Sequence, residues 1–191
     1  LKESNDILLP ALVMHGYSSS TESKEELQQA FQDTKKLLPY IFTFEYPITY
    51  LSENPDDQNL HVAMVYSGDQ FTMNQLQGID AWQYVIPEEG TVVWTDCLSV
   101  LSSSPRKALA LDFINYLNEP EIAALNSEAI YFATPNNAAR AMQSDAFAND
   151  PTVYIADDEL KKMFFYEPIS KDTRKLLNRI THSLMLKYEA Q

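Results

Sequence analysis

The stretch Gly90-Thr-Val-Val-Trp94-Thr-Asp96-Cys97-Leu-Ser-Val100 is an apolar, β-branched run that reads as a buried strand. It ends by presenting an aromatic ring and a carboxylate two residues apart, hence on the same face. That pairing suits an organic cation, because an ammonium group takes a formal negative charge for neutralisation and a π-face along its methylene flank. Tyr66-Ser-Gly-Asp69, at the end of His61-Val-Ala-Met-Val-Tyr66, repeats the theme. The same residues also fit a plainer role, with Trp94 and Tyr66 as core aromatics and the two aspartates as turn formers.

Outward from these two strand ends the chain alternates between helical and extended patterns. Ser4-Asn5-Asp6 precedes an apolar helix that stops at Gly16, with Pro10 predicting a kink or a later start. Ser23-Lys-Glu-Glu26 is a capping box, followed at helical spacing by Leu27, Ala30, Phe31 and Leu38. Strands are predicted over 40–46, 61–66 and 81–86, and a helix over 69–77. Ser104-Pro105 opens a helix whose face of Ala108, Leu111, Ile114, Tyr116 and Leu117 is expected to pack inward. Further helices are predicted from Pro120, over 136–142, over 158–165, and from Ser170 to the C-terminal region. Strands alternating with helices give an α/β fold.

The sequence has 191 residues, 45% of them hydrophobic and 12% aromatic, enough for a substantial core. Its 27 acidic against 14 basic residues leave a formal charge of −13, which repels phosphate backbones and anionic lipid and concentrates small cations. Nucleic acid is therefore not an expected partner. The single cysteine excludes an internal disulfide, and the dispersed His15, His61 and His182 give a metal site no support. With four glycines no phosphate-cradling loop can be written, and no cofactor is expected. There is no run of 18 apolar residues. The start at Leu1, already inside a capping pattern, leads us to expect a removed upstream segment such as a signal peptide or lipid anchor.

Six motifs, in order, resemble one family: Gly-Tyr-Ser at 16–18, Val-Ala-Met-Val-Tyr-Ser-Gly-Asp at 62–69, Ile-Pro-Glu-Glu-Gly at 86–90, Trp-Thr-Asp at 94–96, Asp-Phe-Ile-Asn-Tyr-Leu-Asn-Glu-Pro-Glu at 112–121 and Ala-Thr-Pro-Asn-Asn-Ala-Ala-Arg at 133–140. They are similar to those of the extracellular polyamine-binding proteins of ABC importers, the spermidine/putrescine class, over nearly the whole chain. The resemblance implies a periplasmic-binding-protein fold of two hinged α/β lobes, of which this chain looks like the C-terminal part. Residues 1–95 and 141–191 would belong to the second lobe and 96–140 to a return visit to the first.

Carried onto this sequence, the resemblance implies a ligand site of Glu3, Asp6, Tyr66, Asp69, Trp94, Asp96, Tyr131, Phe132 and Glu167. Asp69 matches the putrescine-selective branch and Trp94 before Thr95-Asp96 the spermidine branch, so the preference between the two stays open. The family's cleft tyrosine falls at Phe132 with Tyr131 beside it, so one hydroxyl contact is absent or moved by a residue. The implied partners are a polyamine and the importer's permease subunits. The implied location is periplasmic or extracellular, with the membrane reached only through an upstream lipoprotein anchor. Helix faces in 96–140 that have lost their lobe would seek a partner chain.

The chemistry also stands without the family. A diamine or triamine carries charges separated by methylenes, so its site supplies carboxylates at the ends and apolar, aromatic walls between. Asp6, Asp69 and Asp96, with Glu3, meet that demand. Another small solute on the same fold is the first alternative, although an anion would call for Arg or Lys in the motifs. An enzyme is weaker still: Cys97 beside Asp96 shows no nucleophile elbow, and a cysteine in an apolar strand reads as an inert core residue.

Overall fold

The structure is a computed structural model that describes residues 4–190; Glu3 lies outside the described residues. Among the described residues ten α-helices follow one another: α1 (Ser4–Met14), α2 (Lys24–Leu37), α3 (Pro47–Glu53), α4 (Asp69–Gln77), α5 (Lys107–Leu117), α6 (Pro120–Ile130), α7 (Asn137–Arg140), α8 (Asp145–Ala148), α9 (Asp157–Leu160) and α10 (Lys171–Glu189). They divide between two compact units. The first takes the chain up to Val65, Ile86–Val93 and the chain from Lys161, and the second takes Tyr66–Val85 and Trp94–Leu160.

The first unit is built on three helices whose apolar stripes face one another. Ile7, Leu8, Ala11 and Leu12 of α1, Leu27 and Ala30 of α2 and Leu177, Ile180 and Leu184 of α10 form one buried cluster with Leu38 and Phe44. Each helix starts where local chemistry permits. The Ser23 hydroxyl accepts the Glu26 N–H at 3.3 Å to begin α2, and the Ser170 hydroxyl accepts the Thr173 N–H at 3.2 Å to begin α10. The capping box is half made, because Glu26 takes the Thr21 hydroxyl. Helix α1 continues through Pro10 and ends at Met14; Gly16, with a φ of +69°, suits the left-handed turn that follows it.

In the second unit, α4 runs from a left-handed Gly68 to a left-handed Gly78, and α5 and α6 pack on each other. The unit's bounds differ from the expected 1–95, 96–140 and 141–191, because residues 66–85 bond within the second unit: the Gln70 amide donates to the Thr152 hydroxyl at 2.9 Å. The expected inward face of α5 is corrected as well. No α5 residue is buried; Leu111 and Tyr116 are exposed, and Ile114 and Leu117 are half-buried. The helix also starts later than expected, at Lys107, with the Ser104 hydroxyl accepting the Arg106 N–H in the turn before it.

The expected strands do not pair among the described residues. One parallel bridge joins Val92 to Phe164, the Val93 N–H donating to the Phe164 carbonyl at 3.0 Å and the Phe164 N–H to that of Thr91 at 3.2 Å. Segments 40–46, 61–66, 81–86 and the run beyond Trp94 carry strand patterns without a ladder. Alternation belongs to a segment, whereas a strand is held by the neighbours that pair with it. Val62 is accordingly 88% exposed, and Cys97, expected as a core thiol, is exposed. Helix α3, which was not anticipated, starts on Pro47 at its first turn, where a missing N–H costs nothing.

Candidate functional site

The second unit builds its aromatic cluster on a tight turn. Residues 66–69 close reciprocally: the Asp69 N–H donates to the Tyr66 carbonyl at 3.2 Å, and the Tyr66 N–H to the Asp69 carboxylate at 2.7 Å. Asp69 is 6% exposed and opens α4, where the helix dipole favours an anion. Gly68 makes the turn possible. Its φ is +95°, and a Cβ there would lie 2.2 Å from the Tyr131 carbonyl oxygen.

That close approach brings 131–132 to the turn. The segment is fixed from behind: the Ser127 hydroxyl donates to the Phe132 carbonyl, the Gln143 amide to the Ser127 hydroxyl at 2.8 Å, and the Tyr154 hydroxyl to Gln143 at 2.7 Å. The Tyr66 ring then lies 4.6 Å from Trp94, centroid to centroid, and Phe132 stands edge-on to Trp94 at 6.4 Å. Trp94 remains 42% exposed, so the indole presents π-surface to solvent within this cluster. Asp96 is exposed on the chain just beyond it. Burial first, and the Asp69 charge second, push the Tyr84 phenol up from its ordinary value.

The structure thus brings Tyr66, Asp69, Trp94 and Phe132 together. Tyr131 does not join the indole; its ring stacks on Phe71 at 5.0 Å, and its backbone, with φ of +58°, caps α6 in the left-handed region that few non-glycine residues adopt.

In the first unit Asp6 sits in the opening turn of α1, and the Tyr166 hydroxyl donates to its carboxylate at 3.0 Å. Tyr166 is the partner that sequence reasoning missed. Its neighbour Glu167, expected in the site, is exposed, and its N–H donates to the Ser20 hydroxyl at 2.7 Å. Adjacent residues of an extended segment face opposite ways, so only one of the pair can turn to Asp6. Among the described residues no three His, Cys, Asp or Glu side chains form a group able to hold a metal ion, and no helix is long and apolar enough to cross a membrane.

Residues 2–154 match the family described as bacterial extracellular solute-binding protein. The chain belongs to that family, whose members bind solutes and are not enzymes. It is 35% identical over all 191 residues to the norspermidine sensor of Vibrio cholerae, covering 53% of that protein. It is 32% identical over 164 residues to the spermidine/putrescine-binding periplasmic protein of Escherichia coli, with 83% of this chain and 44% of that one aligned. The chain therefore spans about half the length of the curated relatives it matches. Among solved structures, a spermidine/putrescine ABC transporter protein of Listeria monocytogenes superposes with a TM-score of 0.83 at 24% identity, over 96% of this chain and 56% of that one. The fold is thus the α/β fold of the periplasmic binding proteins, even though the chain shows it here mainly through its helices.

Proposed function

We propose that the chain forms part of a periplasmic or extracellular protein that captures polyamines and hands them to the permease subunits of an ABC importer. The observation that carries this reading is the three-ring cluster of Tyr66, Trp94 and Phe132, with the exposed indole between the acids Asp69 and Asp96 in sequence. Aromatic faces contribute about 0.5–2 kcal/mol per cation contact, and carboxylates are needed because an unpaired buried ammonium costs several kcal/mol. Asp6, held by Tyr166, supplies a further acid, and Glu3 belongs to the same proposal. The names of the relatives support the ligand class.

The relative named as a norspermidine sensor, similar over the whole chain, favours a second reading in which the bound polyamine is reported to a receptor and not imported. Capture is common to both. Titration of Trp94 fluorescence with spermidine, norspermidine and putrescine tests it: a saturable change lost in Trp94→Ala is expected, and a response no larger than that to sodium or arginine would refute the ligand class. Uptake of labelled spermidine by cells with and without the gene separates import from sensing.

A further inference from the structure

We propose that Gln143 is a positioning residue for polyamine capture, acting through Ser127 to hold Phe132 edge-on to Trp94. The proposal rests on the reading of Tyr66, Trp94 and Phe132 as the aromatic wall of the polyamine site, and every residue it uses belongs to the second unit. Ser127 takes hold of Phe132 at both backbone groups. With Tyr131 in the left-handed region, α6 ends as a Schellman motif: the Tyr131 N–H donates to the Glu128 carbonyl at 3.4 Å and the Phe132 N–H to the Ser127 carbonyl at 3.2 Å. The Ser127 hydroxyl donates in turn to the Phe132 carbonyl. Both peptide planes beside Phe132 are thereby set, and the ring reaches its place at 6.4 Å from Trp94 through its side-chain torsions alone.

The direction of the hydrogen bonds behind Ser127 identifies the residue in control. A backbone carbonyl only accepts, so the Ser127 proton points at Phe132 and the hydroxyl lone pairs are left to receive the Gln143 amide, at 2.8 Å. Gln143 therefore turns Nε2 to Ser127 and Oε1 to Tyr154, whose hydroxyl donates to it at 2.7 Å. The Tyr154 oxygen accepts the Thr134 N–H at 3.3 Å, so each group donates forward and accepts from behind. The position between a hydroxyl that must accept and a hydroxyl that must donate calls for a side chain with a donor and an acceptor on one planar head. Glutamine supplies both; a glutamate carboxylate, methionine or leucine does not.

Burial makes this chain a lever. Ser127 is 4% exposed and Gln143 8%, so water does not stand in for a lost partner, and a break leaves a buried polar group unpaired. The outer end is anchored as well, because the Arg140 guanidinium lies 3.8 Å over the Tyr154 ring and donates to the Ala148 carbonyl at 2.8 Å. Apolar side chains of the same shape would fill this space with no hydrogen bonds to satisfy. What the polar chain adds is one fixed backbone position, and the residue fixed is the one whose ring stands against the indole.

The test is calorimetric titration of the full-length protein with spermidine, comparing wild type with Gln143→Met, Ser127→Ala and Tyr154→Phe, each alone and combined with Phe132→Leu. Gln143→Met and Ser127→Ala should weaken affinity about fivefold or more, and Tyr154→Phe about twofold to threefold. In the Phe132→Leu background each loss should shrink below about twofold, since these residues act only through that ring. A structural role alone would lower the urea midpoint in both backgrounds without this dependence on Phe132. Tyr154→Phe removes a single oxygen and leaves the ring under Arg140, so it carries the test if the other two variants do not fold. Affinity retained in all three variants, or losses undiminished in Phe132→Leu, would overturn the proposal. If wild type itself gives no saturable heat, the polyamine reading fails, and the hold on Phe132 is then decided without ligand: a weakened Trp94 signal in the near-UV circular dichroism of Ser127→Ala supports it, and an unchanged spectrum overturns it.

Discussion

Gly68 leaves no room for any side chain, since its φ of +95° is combined with a Tyr131 carbonyl pressed where a Cβ would go. Gly68→Ala is therefore expected to destabilise the protein by more than about 1 kcal/mol and to loosen Trp94 from Phe132, read by urea denaturation and near-UV circular dichroism. Gly78, at φ of +64° with nothing near its Cβ position, is the matched control: Gly78→Ala carries the backbone strain without the collision and should cost less. A different single residue contributes to the acid limb of stability. Lys36 first, then His15 and Gln29, hydrogen-bond the Asp33 carboxylate and hold its pKa well below the ordinary 3.8. A carboxyl depressed in the folded state contributes stability above its unfolded pKa and loses it as pH falls toward the folded one. Stability should thus decline as the pH drops below about 4, and Asp33→Asn should flatten that decline while lowering stability at neutral pH. An unaltered acid limb in Asp33→Asn would show that other carboxylates dominate it.

Helix α10 stabilises the first unit through a stripe and not through its whole surface, and two leucines two positions apart separate these roles. Leu184 is fully buried against α1 and α2 while Leu186 is exposed. Leu184→Ala should cost about 2–5 kcal/mol, by lost transfer energy and the cavity left, whereas Leu186→Ala should stay within about 0.5 kcal/mol; equal costs in chemical denaturation would contradict this packing. The stripe was legible in the sequence because helical period, cap and stop are properties of one segment: α4 over Asp69–Gln77 and the Ser170 start of α10 could be read directly. Strands were not legible in the same sense. Residues 61–66 and 81–86 show the alternation but not the partner, and α5 shows apolar residues with no indication of what covers them. The site divides the same way. Tyr66 with Asp69, three residues apart, and Trp94 with Asp96 were readable as local motifs. The contact of Tyr166 with Asp6, across 160 positions, and the turning of Tyr131 onto Phe71 depend on through-space packing that no spacing encodes.

The whole molecule carries a formal charge of −13, and that field would attract any polyamine whether or not a site exists. Long-range attraction and a built site differ in their dependence on salt and on position. Raising ionic strength from about 0.1 M to about 1 M shortens the Debye length from about 10 Å to about 3 Å, which screens the general field but weakens a close contact less. Position is tested by two exposed aspartates of the second unit, Asp96 beside the aromatic cluster and Asp112 on α5. Each substitution by asparagine alters net charge by the same amount. If Asp96 faces a ligand ammonium that loses its water, Asp96→Asn leaves that charge unpaired and should cost about 2–5 kcal/mol of spermidine affinity. Asp112→Asn, acting only through the field, should change it by less than about 0.5 kcal/mol, and that small change should vanish at high salt. Calorimetric titration of the full-length protein with both variants at both salt concentrations decides the matter. A loss confined to Asp96 that survives high salt places the recognition in the motif of aromatic ring and carboxylate. Equal losses that disappear together would make the acidity of the surface, and not Asp96, the reason spermidine is attracted.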